Sequence, residues 1–96
     1  MPLDARTTEE LLATSRQARL RFLRTELQIA STMLDLADSA SDQETRHRRE
    51  SAAADACNEV ARGLDPSSRT APLSELERAE LTAGLDALDV RRRSRL

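Results

Sequence analysis

Apolar residues recur in the N-terminal part of the chain at alternating intervals of three and four residues. Because an α-helix has about 3.6 residues per turn, this spacing places them on one stripe of a long helix. This first row consists of Leu20, Leu23, Leu27, Ala30, Leu34 and Ala37. A second row follows next to it and consists of Leu11, Ala18, Phe22, Ile29, Met33, Leu36 and Ala40. Together the rows form an apolar arc too wide for one neighbour, so we expect this helix to contact two others.

The remaining composition argues against a β-sheet fold. Phe22 is the only aromatic residue, and only Ile29, Val60 and Val90 are both apolar and β-branched. Strands favour those residue types, whereas the Leu, Ala, Arg and Glu that dominate this chain favour helices. We therefore expect an all-α fold.

Capping boxes mark where the helices begin, since each is a Ser or Thr followed three residues later by Glu. The boxes start at Thr7, Ser41 and Ser74. Gly63 is expected close to the C-terminal cap of the second helix. The predicted helices cover about residues 8–39, 42–62 and 75–92. The first two form an antiparallel helical hairpin, and the third packs along it.

The whole chain, residues 1–96, is long enough for a single helical domain with a modest core. A short N-terminal segment, 1–6, precedes the first helix, and an Arg-rich C-terminal tail, 91–96, ends the chain. Pairing the hairpin outward from its turn sets the end of the first helix opposite Thr45–Arg49, a polar run. Either the third helix or a second chain must cover the apolar residues there, and this mismatch favours a homodimer or another protein partner.

The expected partner-binding residues lie on two helices. They are Met33, Leu34, Leu36 and Ala37 on the first helix and Leu76, Ala83 and Val90 on the third. The same seven residues would be core residues if the three helices covered one another. If these seven residues bind a partner, the chain is a small non-enzymatic interaction or scaffold module that self-associates through its helix faces.

Clustered arginines support a first alternative, a nucleic-acid-binding module. All fifteen basic residues are arginine, which binds phosphate bidentately, and they cluster at 16–24, 46–49 and 91–95. However, the net charge is −2, carboxylates accompany the clusters in the hairpin, and apart from Phe22 there are no aromatic residues on which bases would stack. Nucleic acid is therefore the less favoured partner.

His47 supports a second alternative, a histidine phosphotransfer-like signalling module. It lies in the basic run Arg46–Arg49, and an exposed histidine with basic neighbours is typical of a phosphoacceptor site. Such domains place a small residue shortly after the histidine, whereas Arg48 and Arg49 follow here. We favour the interpretation of His47 as a surface residue.

Catalytic, cofactor-binding and metal-binding residues are not expected. Cys57 is the only cysteine and His47 the only histidine, so they make no zinc ligand set, and two glycines make no phosphate-binding loop. Cys57 is expected to be buried in the alanine-rich part of the second helix. The lone cysteine, the lack of a long apolar run and the acidic N-terminus predict a cytoplasmic protein that does not bind membranes.

Two resemblances accompany these patterns. The stretch Ala61–Pro66 weakly resembles the end of a tetratricopeptide-repeat hairpin, although the Trp, Gly and Tyr typical of the first helix of that repeat are missing. Residues 34–44 and 73–81, with the alanine-rich segment between them, resemble a group of short uncharacterised all-helical bacterial proteins. Those proteins often carry Asp-Pro at the turn, where this chain has Asp42 followed by Gln43. The resemblance implies an all-helical fold and no particular activity.

Overall fold

Three α-helices account for nearly all of the chain that the computed structural model describes, residues 5–65 and 73–95. The helices are α1 (Ala5–Asp38), α2 (Gln43–Leu64) and α3 (Glu75–Arg93). Strands are absent from these two described ranges, so the predicted all-α fold is confirmed. The predicted bounds agree with the observed ones to within about one helical turn.

The predicted terminal segments differ in detail from the structure. Residues 1–4 of the expected N-terminal segment lie outside the described residues, and α1 already includes Ala5. The expected tail begins inside α3, which continues to Arg93. Three consecutive arginines therefore occupy the last turn of a helix, where they favourably oppose its dipole.

The first row of α1 forms the centre of the molecule. Five of its six residues are buried, and Leu27 is partly buried between two clusters. One cluster joins Leu34 to Cys57 of α2 and Leu88 of α3. The other joins Leu23 to Leu81 of α3. Both neighbouring helices therefore pack against the same row of α1.

This arrangement confirms the two expected neighbours of α1. α2 packs against α1 most extensively, and α3 packs against both of the others. Because both use the first row, Phe22, Ile29 and Leu36 of the second row stay exposed.

Ion pairs fix the direction of α3. Near the start of α3, Glu80 accepts two hydrogen bonds from Arg24, with N–O distances of 2.7 and 3.0 Å. Near its end, Arg91 donates to Asp35 at 2.5 Å and to Asp38 at 3.1 Å. α3 therefore runs parallel to α1, and its last turn reaches the region where α1 was predicted to lack a neighbour.

Two predicted helix starts are wrong and one is confirmed. α1 begins at Ala5, before the expected cap at Thr7. α2 is capped by Asp42 instead of Ser41, because the Asp42 carboxylate accepts the Thr45 amide at 2.7 Å. That hydrogen bond also lowers the pKa of Asp42. The box at Ser74 forms as predicted, with both reciprocal hydrogen bonds to Glu77.

Gly63 lies close to the C-terminal cap of α2 as predicted, and it also has a role in packing. It lies inside α2, whose C-terminal cap is Asp65, and neither glycine has a positive φ. A Cβ atom at Gly63 would lie 2.6 and 2.9 Å from the two Cδ atoms of Leu23, so the missing side chain lets α2 approach α1 closely. Gly84 of α3 approaches one methyl of Leu27 in the same way, at 2.9 Å.

Substituting the two glycines by alanine is expected to have opposite effects. Alanine gains about 0.5–1 kcal/mol in helix propensity, whereas overpacking a core costs about 1–3 kcal/mol. Leu23 is fully buried and meets the new Cβ with both methyls, so Gly63→Ala should lower the free energy of unfolding by about 1 kcal/mol. At Gly84 the new Cβ would contact only one methyl of Leu27, which is partly buried. Gly84→Ala should therefore leave the free energy of unfolding unchanged or raise it.

Urea unfolding followed by circular dichroism measures both changes, and each variant serves as the control for the other. Equal stabilisation by the two alanines would show that Leu23 moves aside freely and that Gly63 is not required for close packing.

Candidate functional site

The structure separates the seven predicted partner-binding residues into two groups. Leu34 and Ala37 are buried in the core of the chain itself, and Met33 is partly buried against the same cluster. These three are therefore covered within one chain. The exposed residues of the predicted set are Leu36, Leu76, Ala83 and Val90.

Three large apolar side chains form an exposed stripe on α1. Phe22, Ile29 and Leu36 follow one another at intervals of seven residues, and their exposed fractions are 50%, 39% and 39%. Seven residues correspond to about two helical turns, so these side chains lie on one line along the helix. We call these three residues the α1 stripe. Ala18 and Leu11 continue the line toward the N-terminus and are also exposed.

Sequence reasoning placed Phe22 and Ile29 in the second row but did not select them as partner-binding residues. Their spacing was visible, since Leu36 follows Ile29 by the same interval as Ile29 follows Phe22. What the sequence did not reveal was which of the two rows would be covered.

A second exposed stripe lies on α3. Leu76, Ala83 and Val90 are also spaced by seven residues, and Leu76 and Val90 are 84% and 63% exposed. We call these three residues the α3 stripe. Leu81 and Leu88, on the other side of the helix, are buried in the core. α3 thus has one covered and one exposed apolar face.

A groove of about 480 Å³ borders the α1 stripe where α1 meets α2. Ile29 forms one wall, and Ala52 and Ala56 on α2 leave space opposite it. Charged residues surround the groove, among them Glu26 and Arg62. Small side chains next to an exposed apolar line allow another helix to approach closely.

Several arginines bind the ends of the helices. Arg49 donates to the carbonyl of Leu36 at 2.7 Å, and Arg78 donates to the carbonyl of Leu64 at 3.0 Å. Arg19 donates to the carbonyl of Gly63. The last carbonyls of a helix lack partners within the helix, so these guanidinium groups satisfy the ends of α1 and α2.

Other arginines pair with carboxylates between helices. Besides the bonds from Arg24 and Arg91, Arg95 contacts Asp38 and lies 3.8 Å from Glu50. Arg91 and Arg95 therefore both contact Asp38, at the end of α1. At this end of the bundle, carboxylates of the same chain pair with Arg48, Arg91, Arg92 and Arg95.

His47 lies in an open cleft between α2 and the end of α3, with a volume of about 440 Å³. Arg92, which pairs with Asp89 at 3.4 Å, is among the charged residues that line it. The ionisable side chains in the cleft are His47, Glu50, Asp89, Arg92, Arg93 and Arg95. Positive and negative charges are interspersed there, so the cleft has no strong preference for an anion.

The described residues contain neither a group of metal ligands nor an exposed cysteine. Within residues 5–65 and 73–95, no three His, Cys, Asp or Glu side chains are grouped so that they could hold a metal ion. Cys57 is buried as predicted, and its burial raises the pKa of the thiol. A thiol that stays protonated is a poor nucleophile.

Comparison of the chain with known protein families, with curated proteins and with solved structures finds no significant match. Across the described ranges, each helix is too polar or too short to cross a lipid bilayer. Function must therefore be argued from the exposed stripes, the groove and the charges described above.

Besides Asp42, two further carboxylates at helix ends have lowered pKa values. Hydrogen bonds from Arg95 and Arg91 lower the pKa of Asp38, and a hydrogen bond from the Ser74 amide lowers the pKa of Glu77. Such groups bind protons more readily in the unfolded chain. Their contribution to stability is therefore complete above the unfolded pKa of about 4 and decreases as the pH falls through the folded value.

Acid should accordingly loosen the contact between α1 and α3. The thermal midpoint of unfolding should be constant from about pH 7 to about pH 5 and should fall below about pH 4. Asp38→Asn should lower the midpoint at neutral pH and weaken its acid dependence, because the bonds to Arg95 and Arg91 lose their charge. Asp86→Asn, at an exposed position on α3, is the matched control. If the acid dependence of Asp38→Asn equals that of the unmodified chain, the Asp38 carboxylate is not its source.

Proposed function

We propose that this chain is a small, non-enzymatic protein-interaction module that self-associates through the α1 stripe. The observation that carries the proposal is the exposure of Phe22, Ile29 and Leu36 on a helix whose other apolar row is already covered. Apolar lines of this kind mark protein contacts, because removing them from water contributes about 25 cal/mol per Å².

A second copy of the chain is the partner that this stripe fits best. Residues spaced by seven pack against another helix that carries the same repeat, and a second copy supplies that repeat. A two-fold dimer needs only one self-complementary patch on each chain. The small residues of the groove beside Ile29 support the close approach of a second α1.

The charged residues favour an interaction module over the two alternatives. For a nucleic-acid-binding module, the arginines would have to leave carboxylates such as Asp38 and Glu80, and the net charge of −2 gives no general attraction. For a phosphotransfer module, His47 is exposed but is followed by two arginines in a cleft of mixed charge.

The α3 stripe gives the module a second surface. Leu81 and Leu88 point toward α1, so Leu76 and Val90 lie on the far side of α3. When two copies pair through α1, this surface remains available for another protein. The proposed role is thus a dimer that presents two α3 stripes, which is the geometry of a small scaffold.

Size-exclusion chromatography with light scattering and absorbance at 260 nm tests the proposal. The chain has no Trp and no Tyr, so a strong 260 nm signal that travels with it would indicate bound nucleic acid or nucleotide. We expect a clean peak at twice 10.7 kDa. A monomer at every concentration would overturn the proposal, and a bound nucleic acid would favour the first alternative.

A matched pair of substitutions locates the interface. Ile29→Asp places a charge at the middle of the α1 stripe and should convert the dimer to a monomer, because an unpaired carboxylate would be buried between the helices. Val90→Asp places the same charge on the α3 stripe and should leave the dimer intact. Both variants should keep their helical circular dichroism, since both positions are exposed in the single chain.

A monomer in Val90→Asp and a dimer in Ile29→Asp would place the interface on α3. Loss of helicity in Ile29→Asp would show that Ile29 stabilises the single chain, which would contradict its placement outside the core.

A further inference from the structure

The α1 stripe is symmetric about its centre. Ile29 lies seven residues from Phe22 on one side and seven residues from Leu36 on the other. A two-fold axis near Ile29 that reverses the direction of the helix maps the stripe onto itself. Phe22 of one copy then lies toward Leu36 of the partner subunit. Leu11 falls beyond this overlap.

The charges of α1 are distributed unequally along the helix. This distribution decides whether two α1 helices pair in parallel or antiparallel orientation. Residues 11–25 carry four arginines and no acidic residue, whereas residues 26–38 carry three carboxylates and no basic residue. A parallel pair would place like charges together. An antiparallel pair places the basic half of each α1 against the acidic half of the other and also opposes the two helix dipoles.

Most of these charges already have partners on α3. The charges that can contact a second copy are those beside the stripe. Arg16 and Arg24 lie near Glu77 and Glu80 of α3. Arg21 is exposed next to Phe22, and the positions seven and fourteen residues later are Gln28 and Asp35.

Arg21, Gln28 and Asp35 thus follow one flank of the stripe. The side chain of Asp35 is 67% exposed although its Oδ1 accepts from Arg91. Asp35 therefore has room for a second guanidinium group.

We propose that two copies pair α1 against α1 in antiparallel orientation about an axis close to Ile29, with Arg21 of each copy beside Asp35 of the partner subunit. This inference rests on the proposed self-association and adds its orientation and its flanking charges. The arrangement is an isologous interface with two symmetry-related charge pairs.

Distances between spin labels test the orientation on the full chain. The only cysteine is removed by Cys57→Ala, and one label is attached at Gln17→Cys or at Gln28→Cys, two positions outside the apolar stripe. With a rise of 1.5 Å per residue, an axis at Ile29 predicts about 35 Å between the two labels at position 17 and less than about 20 Å at position 28. A parallel pair predicts less than about 20 Å at both positions.

The outcomes distinguish this inference from the function on which it rests. A dimer by light scattering with short distances at both positions would overturn the antiparallel pairing and leave self-association standing. A dimer with long distances at both would place the interface away from α1 and overturn the inference. A monomer by light scattering would overturn both.

The charge pair is tested separately by dimer affinity. Arg21→Glu should raise the dimer Kd by about fivefold, because it places a carboxylate beside Asp35 of the partner subunit. In an Asp35→Asn background the same change should have a smaller effect, since the opposing charge is absent. Arg93→Glu, an equal charge reversal on α3, is the control and should leave the Kd unchanged. Equal effects of Arg21→Glu in both backgrounds would overturn the charge pair.

Discussion

The packing of two helices against one row of α1 is the constraint on which the rest of the structure depends. Leu23 and Leu34 each contact α3 residues in a separate cluster, and Leu27 connects the two. Alanines and a glycine on the facing helices let the backbones come close, as at Gly63. Because α2 and α3 both occupy this row, no helix remains to cover the α1 stripe. The exposed apolar line is thus a direct consequence of how the core is built.

Charge sets the direction of α3 in the same arrangement. α1 is basic in its first half and acidic in its second, whereas α3 begins with Glu75 and Glu77 and ends with three arginines. A parallel α3 brings opposite charges together at both ends, as the pairs Arg24–Glu80 and Arg91–Asp35 record. Exposed pairs contribute little one by one, about 0–1 kcal/mol each, but they discriminate between the two directions of a helix. This use of arginine explains why basic clusters in the sequence do not become a basic surface.

The sequence was sufficient to predict the helices, the two apolar rows of α1 and the capping box at Ser74, because periodicity and local hydrogen bonds determine them. It was not sufficient to predict which row would be covered, since both rows contain residues as apolar as Leu34 and Ile29. That choice depends on long-range packing. The close packing at Gly63 was not predicted for the same reason, because it depends on Leu23, which is far away in the chain. Asp42 and Ser41 are both good N-caps, and only the backbone geometry of the turn decides between them.

The distribution of side-chain size within α1 argues that its surface is made for contact. The row that packs in the core contains Ala30 and Ala37, whereas the exposed stripe carries Phe22, the largest apolar residue of the chain. Full burial of a Phe, Leu or Ile side chain contributes about 1.5–3 kcal/mol, and the single chain leaves much of that unrealised at each position of the stripe. The core of this short chain is modest and mixes leucines with alanines, so covering the stripe would add to the stability of the fold as well as to the affinity between chains. In this arrangement α1 has the core of its own chain on one side and the partner subunit on the other.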